Sequence, residues 1–213
     1  MAVRIDLNLS LDGVAVTSDQ TSENPMGEDW GRLVAPYVAT RTFRERVLHE
    51  TTGEGTTGVD DRYGAAYFDG VGAEIMGAGM FGFHTFPDDP DWRGWWGDEP
   101  PFHGLVLVLT HRERAPIDFD NGTRFEFLSA TPADALARAR EHADGGDIRV
   151  GGGVSVARDF LAAGLVDRLH VAITPIVLGR GVRLWDELHE LERDYTVTSE
   201  LAESGVIHVT FAR

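Results

Sequence analysis

Two residue types that carry much of enzyme chemistry are missing from this 213-residue chain, which has no cysteine and no lysine. Without cysteine there is no disulfide framework, no thiolate nucleophile and no cysteine-ligated zinc or iron–sulfur centre. Without lysine there is no Walker lysine, no Schiff base and no lysine-held pyridoxal phosphate. All 19 basic residues are arginine. Cationic recognition therefore falls to guanidinium groups, which suit bidentate phosphate contacts. Positive charge is itself scarce: 35 acidic residues leave a formal net charge of -16. That balance excludes a nucleic-acid backbone as partner and disfavours an anionic membrane surface. An anionic nucleotide remains compatible where arginines and backbone donors are local. Long apolar runs are also lacking, so no membrane span is expected. The opening MAVRIDLNLSLDG alternates and is no signal peptide, which leads us to expect a cytoplasmic protein. A hydrophobic content of 42% supports a real core, and we read residues 1–213 as one domain. The eight histidines include no pair with H-E-x-x-H spacing, so no metal site is expected.

The chain is organised around DIRVGGGVSVARDFLAAG, residues 147–164. Ile148 and Val150 alternate as in a strand, and Gly151, Gly152 and Gly153 clear the turn of side chains. Val154, Ala157, Phe160 and Leu161 follow at helical spacing, with Gly164 as a stop. A strand that passes through bare glycines into a helix presents backbone N–H groups and the positive end of the helix dipole. Such a turn suits a phosphate or pyrophosphate, with Ser155 as an added donor. It equally suits a tight connection that binds nothing.

The remainder reads as strand–helix alternation with strands at the end. Val3, Ile5, Leu7 and Leu9 mark a first strand, closed by Leu11-Asp12-Gly13. Asp12 stands at a strand exit, where α/β sheets keep their sites, although a turn aspartate before glycine is common. Residues 17–31 read as a long surface loop carrying Trp30, which either packs beneath it or covers a ligand. Phe43, Val47 and Leu48 suggest a helix over residues 42–50. Another helix starts at Val59-Asp60-Asp61, with Tyr63, Ala66, Tyr67 and Val71 inward. A strand over residues 73–76 runs into Gly77-Ala78-Gly79-Met80-Phe81, a second strand–glycine junction. Residues 84–103 hold Trp92, Trp95 and Trp96 without periodicity, and a satellite cluster packed under a loop is the favoured reading. Leu105 to Leu109 is a strand buried on both faces. It ends in Thr110-His111-Arg112, a polar exit that suits a ribose phosphate or plain solvent. Phe125 and Phe127 mark a strand, and Thr131-Pro132 caps a helix. Residues 165–173 form a strand, and residues 195–201 and 206–211 close a hairpin. The sum is an α/β sheet, mostly parallel, with antiparallel strands appended.

The SLDG after the first strand, the IMGAGMF junction, the VLTHR exit and the run GGGVSVARDFLAAGLVDRLHVAITPIVLGRGVRLWD together resemble the dihydrofolate-reductase-like proteins. The match is closest to the riboflavin-biosynthesis reductase domain, the RibD C-terminal domain, and it covers nearly the whole chain. The resemblance implies a three-layer dihydrofolate-reductase-like fold and NADPH as hydride donor. The pyrophosphate would rest on Gly151, Gly152, Gly153, Val154, Ser155 and Val156, and on Gly77, Ala78, Gly79 and Met80. Thr110, His111 and Arg112 would meet the ribose and its 2′-phosphate. The nicotinamide would lie beside Asp12 and Gly13, with Asn8, Gly13 and Trp30 as substrate contacts. Asp12 is the candidate catalytic residue, as proton donor or sugar-hydroxyl ligand. The implied substrate is a small heterocycle such as the ribosylaminopyrimidinone phosphate of riboflavin synthesis, and the implied assembly a homodimer. An acidic chain would leave Arg32, Arg180 or Arg183 to compensate a phosphorylated substrate. The fused zinc deaminase domain that often accompanies this family is not in the sequence. The folate-gripping carboxylate of true dihydrofolate reductases has no clear match among Glu28, Asp29 and Glu45. A nucleotide-binding protein that performs no chemistry is the alternative.

Overall fold

The computed structural model describes residues 1–86 and 89–213. In chain order the elements are β1 (Val3–Ser10), β2 (Val14–Val16), α1 (Gly27–Val38), α2 (Arg41–Arg46), α3 (Val59–Ala66), β3 (Val71–Gly77), α4 (Ala78–Phe81), β4 (Leu105–Leu109), β5 (Ile117–Asp118), β6 (Arg124–Leu128), α5 (Pro132–Arg140), β7 (Asp147–Gly152), α6 (Val154–Ala162), β8 (Arg168–Thr174), β9 (Val182–Arg183), β10 (Thr196–Leu201) and β11 (Ile207–Ala212). The result is a mixed α/β fold, mostly parallel with antiparallel strands added, as the alternation implied. The chain divides into two compact units, residues 1–5 with 70–167 and residues 6–69 with 168–213.

In the first unit the strand order is β1-β7-β3-β4-β6-β5. Every pairing there is parallel except β5 with β6. β4 is interior, which explains its unbroken apolar run: Val106, Leu107 and Val108 are wholly buried. Helices α5 and α6 pack on β3 and β7. Thr131 caps α5 by accepting from the Asp134 N–H, and Pro132 sits in the first turn, where its missing N–H costs nothing. Val154, Ala157, Phe160 and Leu161, the stripe read from spacing, are the buried face of α6. Residues 84–103, of which 87 and 88 lie outside the described residues, carry no strand or α-helix among those described. Trp92 and Trp96 pack against a core of Met76, Phe81, Phe83, Val106, Val108, Phe119 and Phe125, the satellite arrangement favoured above.

In the second unit the order is β10-β11-β8-β1, with β10–β11 and β11–β8 antiparallel. The hairpin around Glu203-Ser204-Gly205 forms as expected. Two expectations fail here. The helix expected over residues 42–50 is only α2, with no buried residue; Leu48 lies beyond it, 48% exposed. The loop read over residues 17–31 ends early because α1 begins at Gly27 and places Trp30 in its first turn. Asp19 Oδ2 accepts the N–H groups of Glu28 and Asp29, capping that helix from far upstream. Leu33 and Val34 then bury its inner face. No helix among the described residues is long and apolar enough to cross a membrane.

Candidate functional site

Three adjacent parallel strands of the first unit end together. Met76 is in register with Gly152, and Gly77 with Leu109. This brings the exits of β7, β3 and β4 side by side, with Gly151–Val156, Gly77–Met80 and Thr110–Arg112 on one edge. The C-terminal edge of a parallel sheet is where ligands are held in such folds.

The glycines at this edge do different things. A Cβ on Gly151 would stand 2.0 Å from Glu74 Oε1, so its bareness makes room for a buried ion pair. In that pair Arg149 Nη1 donates to Glu74 Oε1 at 2.7 Å. Gly152 has φ +135 and faces Met80, and its peptide bond to Gly153 is cis. A Cβ on Gly77 would meet Val156 Cγ2 at 2.9 Å and the Gly153 nitrogen at 3.4 Å, so this glycine lets the two junctions touch. Only Gly153 of the three in the turn is open: a Cβ there would meet no atom of the described residues within 4 Å beyond its chain neighbours. Gly151 and Gly152 are buried packing positions, and the open space begins at Gly153. Gly153 is the N-cap of α6, no side chain caps that end, and Ser155 in its first turn is exposed. The first N–H groups of a helix lack intrahelical partners. This end therefore fits an anionic group.

At the β4 exit, Thr110 Oγ1 accepts the Arg112 N–H at 3.1 Å, which turns the chain. The Arg112 guanidinium lies 5.8 Å from the Phe83 ring centroid. His111 Nδ1 is 2.9 Å from Ser129 Oγ, a partner that sequence reading missed. Arg114 was also missed. It donates to the Pro90 and Trp92 carbonyls and lies against Phe81, Phe83 and Phe127. Burial pulls its proton affinity below the usual arginine value, opposed by Asp89 and Asp91. It ties the β4 exit loop to the tryptophan segment. That segment also satisfies α4, since Trp92 Nε1 donates to the Phe81 carbonyl at 2.7 Å and Trp95 Nε1 to that of Met80 at 2.9 Å.

The second unit holds the first-strand exit. Here Asp12 is a loop pin. Its carboxylate accepts from Ser10 Oγ at 2.6 Å, Leu178 N at 3.1 Å and Gly179 N at 2.8 Å. The Ser10 bond first, with those two amides and against the cost of burial, lowers its pKa from 3.8 to about 2. A carboxyl group so held carries no proton near neutrality, which argues against the expected role as acid. Gly13 has φ +79, and a Cβ there would stand 2.9 Å from Trp185 Cδ1. The indole, rather than open space, faces this expected substrate contact. Asn8 on β1 and Trp30 on α1 are half-buried. The three arginines expected to compensate a substrate phosphate are engaged by carboxylates. Arg180 Nε and Arg32 Nη1 donate to the buried Asp29 at 2.6 and 3.0 Å. Arg183 Nη2 lies 4.0 Å from Asp12 Oδ2 while its Nε donates to the Asp12 carbonyl.

The family model described as RibD C-terminal domain matches residues 2–208. No curated protein matches the chain. Among solved structures, a protein from Shewanella sp. PV-4 assigned to riboflavin biosynthesis has 21% identity and a TM-score of 0.58, covering 100% of this chain and 99% of its own. The diaminohydroxyphosphoribosylaminopyrimidine deaminase/5-amino-6-(5-phosphoribosylamino)uracil reductase of Thermotoga maritima has 14% identity and a TM-score of 0.54. It aligns over 99% of this chain but 56% of that one, so this chain spans about half of that protein. Dihydrofolate reductase from Enterococcus faecalis, complexed with NADP(H), has 11% identity and a TM-score of 0.51, covering 100% and 96%.

Proposed function

The chain belongs to the RibD C-terminal domain family, and from that premise we propose that it is an NADPH-dependent reductase acting on a small heterocyclic or ribosylaminopyrimidine substrate. The observation that carries this reading is the open, uncapped start of α6 at Gly153, flanked in register by the β3 and β4 exits. The amides of Val154 and Ser155 suit a pyrophosphate, the Gly77–Met80 junction lies beside them, and Thr110, His111 and Arg112 suit the ribose and its 2′-phosphate. Bound NADPH supplies a hydride from C4 of its nicotinamide. The chain's own part is to fix that carbon against an electrophilic C=N or C=O carbon and to exclude water. Hydride addition leaves negative charge on the heteroatom, so a proton must follow. Asp12, ionised and tied to three donors, holds the loop of residues 176–185 in place instead of giving that proton.

A binding protein without chemistry is the second reading. The two readings separate on NADPH oxidation followed by absorbance with a panel of aminopyrimidines, pterins and small carbonyls. Turnover with any member supports the reductase. Tight NADPH binding without turnover supports the binder, and indifference to pyridine nucleotides overturns both. The reading includes a homodimer through the outer edge of β10, where Val197 and Leu201 are 44% and 69% exposed. Sedimentation as a dimer that Leu201→Glu dissociates is the expected result.

A further inference from the structure

Four side chains of the second unit form a row that the reductase reading does not use. Asp6 on β1, His170 on β8, His208 on β11 and Asp60 on α3 stand in sequence. Asp6 Oδ1 is 3.3 Å from His170 Nδ1, His170 Nε2 is 3.0 Å from His208 Nδ1, and His208 Nε2 is 2.8 Å from Asp60 Oδ1. The two imidazoles are 0% and 2% exposed, so water does not mediate these contacts. Tyr63 of α3 lies flat over both rings, with centroids at 4.4 and 4.1 Å and interplanar angles of 7° and 4°.

Counting protons shows what is unusual. Three gaps each need one proton to become a hydrogen bond. Two neutral imidazoles carry one proton each, and ionised carboxylates carry none. With two protons in the row, the short contacts settle their places: His208 donates from Nε2 to Asp60, and His170 donates from Nε2 to His208 Nδ1. The remaining gap then sets the bare Nδ1 of His170 against the Asp6 carboxylate. That gap is the longest of the three, and His170 Nδ1 is a buried nitrogen without an aligned hydrogen-bond partner.

We propose that Nδ1 of His170 is a buried proton-binding site, and that one proton taken from solvent there closes the row from Asp6 to Asp60. The imidazolium formed donates to Asp6 on one side and to His208 on the other, while His208 stays neutral and donates to Asp60. Two carboxylates flank one cation, and the Tyr63 ring lies over it. Burial, with His170 adding to it and Asp60 opposing, holds His208 below the ordinary imidazole range, which suits its neutral place in the row. Arg62 of α3 holds both oxygens of Glu200 on β10 at 2.7 Å, and the Tyr63 hydroxyl lies 3.5 Å from Glu200 Oε2. The ring of Tyr67 stands 6.0 Å from that of His170. The closed row is present at the lower pH and lost as pH rises. This inference does not depend on the proposed reductase activity.

Long-range ¹H–¹⁵N spectra of the labelled protein read the tautomers directly. At about pH 6 His170 is expected to carry protons on both nitrogens and His208 on Nε2 alone; at about pH 8.5 His170 is expected to keep only Nε2–H. In Asp6→Asn the second proton on His170 is expected to be absent at both values. A bare His170 Nδ1 at about pH 6, or an unchanged pattern in Asp6→Asn, overturns the site. Should Asp6→Asn fail to fold, the spectra of the unsubstituted protein decide the question alone.

Discussion

Gly77 and Val156 touch so closely that a Cβ on the glycine would stand 2.9 Å from the valine's Cγ2. Gly77→Ala must therefore push the two strand–helix junctions apart, at a cost of about 1–3 kcal/mol in thermal or urea unfolding. Gly153→Ala makes the opposite case. Its φ of -68 admits any residue, and among the described residues the new methyl group meets no atom within 4 Å beyond its chain neighbours. Unfolding should be unchanged, while NADPH affinity, followed by tryptophan fluorescence, should fall about tenfold or more as the methyl group enters the pyrophosphate's place. Unchanged affinity in Gly153→Ala would remove the α6 start from the binding site.

Asp12 makes stability depend on acid. Its folded pKa, about 2, lies below the ordinary 3.8, so its contribution is complete above about pH 4 and disappears as pH falls through about 2. Asp12→Asn should melt at a lower temperature than the unsubstituted protein at neutral pH, and the gap should close as pH falls toward 2. Turnover at saturating substrate should persist in this variant, because the carboxylate holds a loop and gives no proton. Loss of turnover with an unchanged melting curve would restore Asp12 as the catalytic acid.

How much of this could be read from the order of residues depended on whether the cause was local. The apolar run of β4 and the spacing of Val154, Ala157, Phe160 and Leu161 in α6 express burial in a single window, and both elements stand where expected. Helix α1 does not work that way. Asn24-Pro25 and Gly27 read as breakers, and the cap that starts the helix comes from Asp19, which no helical pattern points to. At the candidate site the place was legible and the division of labour was not. Three consecutive glycines look alike in sequence, and only the fold sets Glu74 behind Gly151, Met80 before Gly152 and open space at Gly153. The histidine row was invisible for the same reason. His170 and His208 looked like ordinary strand residues, and it is the antiparallel register, Thr210 with His170 and Ala172 with His208, that makes them diagonal neighbours.

Arg112 bears on cofactor choice. If the β4 exit holds the 2′-phosphate, Arg112→Gln should weaken NADPH binding about tenfold, about 1.4 kcal/mol, and leave NADH binding unaltered. Titration with the two nucleotides checks this, and equal losses for both would place Arg112 away from the phosphate.

The Glu74–Arg149 pair tests whether the glycine turn rests on a charged base. Both side chains are largely buried, 4% and 12% exposed, at 2.7 Å. Removing one member of a buried pair leaves an uncompensated charge and typically costs about 3–5 kcal/mol, more than the pair's formation contributes. Glu74→Gln keeps the shape and removes the charge opposite Arg149, while the space behind Gly151 stays filled. The urea midpoint should fall by that energy divided by the unfolding slope, with the slope unchanged. Gly151→Ala should be at least as damaging, because its Cβ would come to 2.0 Å from Glu74 Oε1. In the double variant Glu74→Gln/Gly151→Ala the steric term persists, since glutamine fills the same space, so relief by Glu74→Ala in place of Glu74→Gln would identify the clash. If Glu74→Gln unfolds at the same urea concentration as the unsubstituted protein, the ion pair does not support the turn.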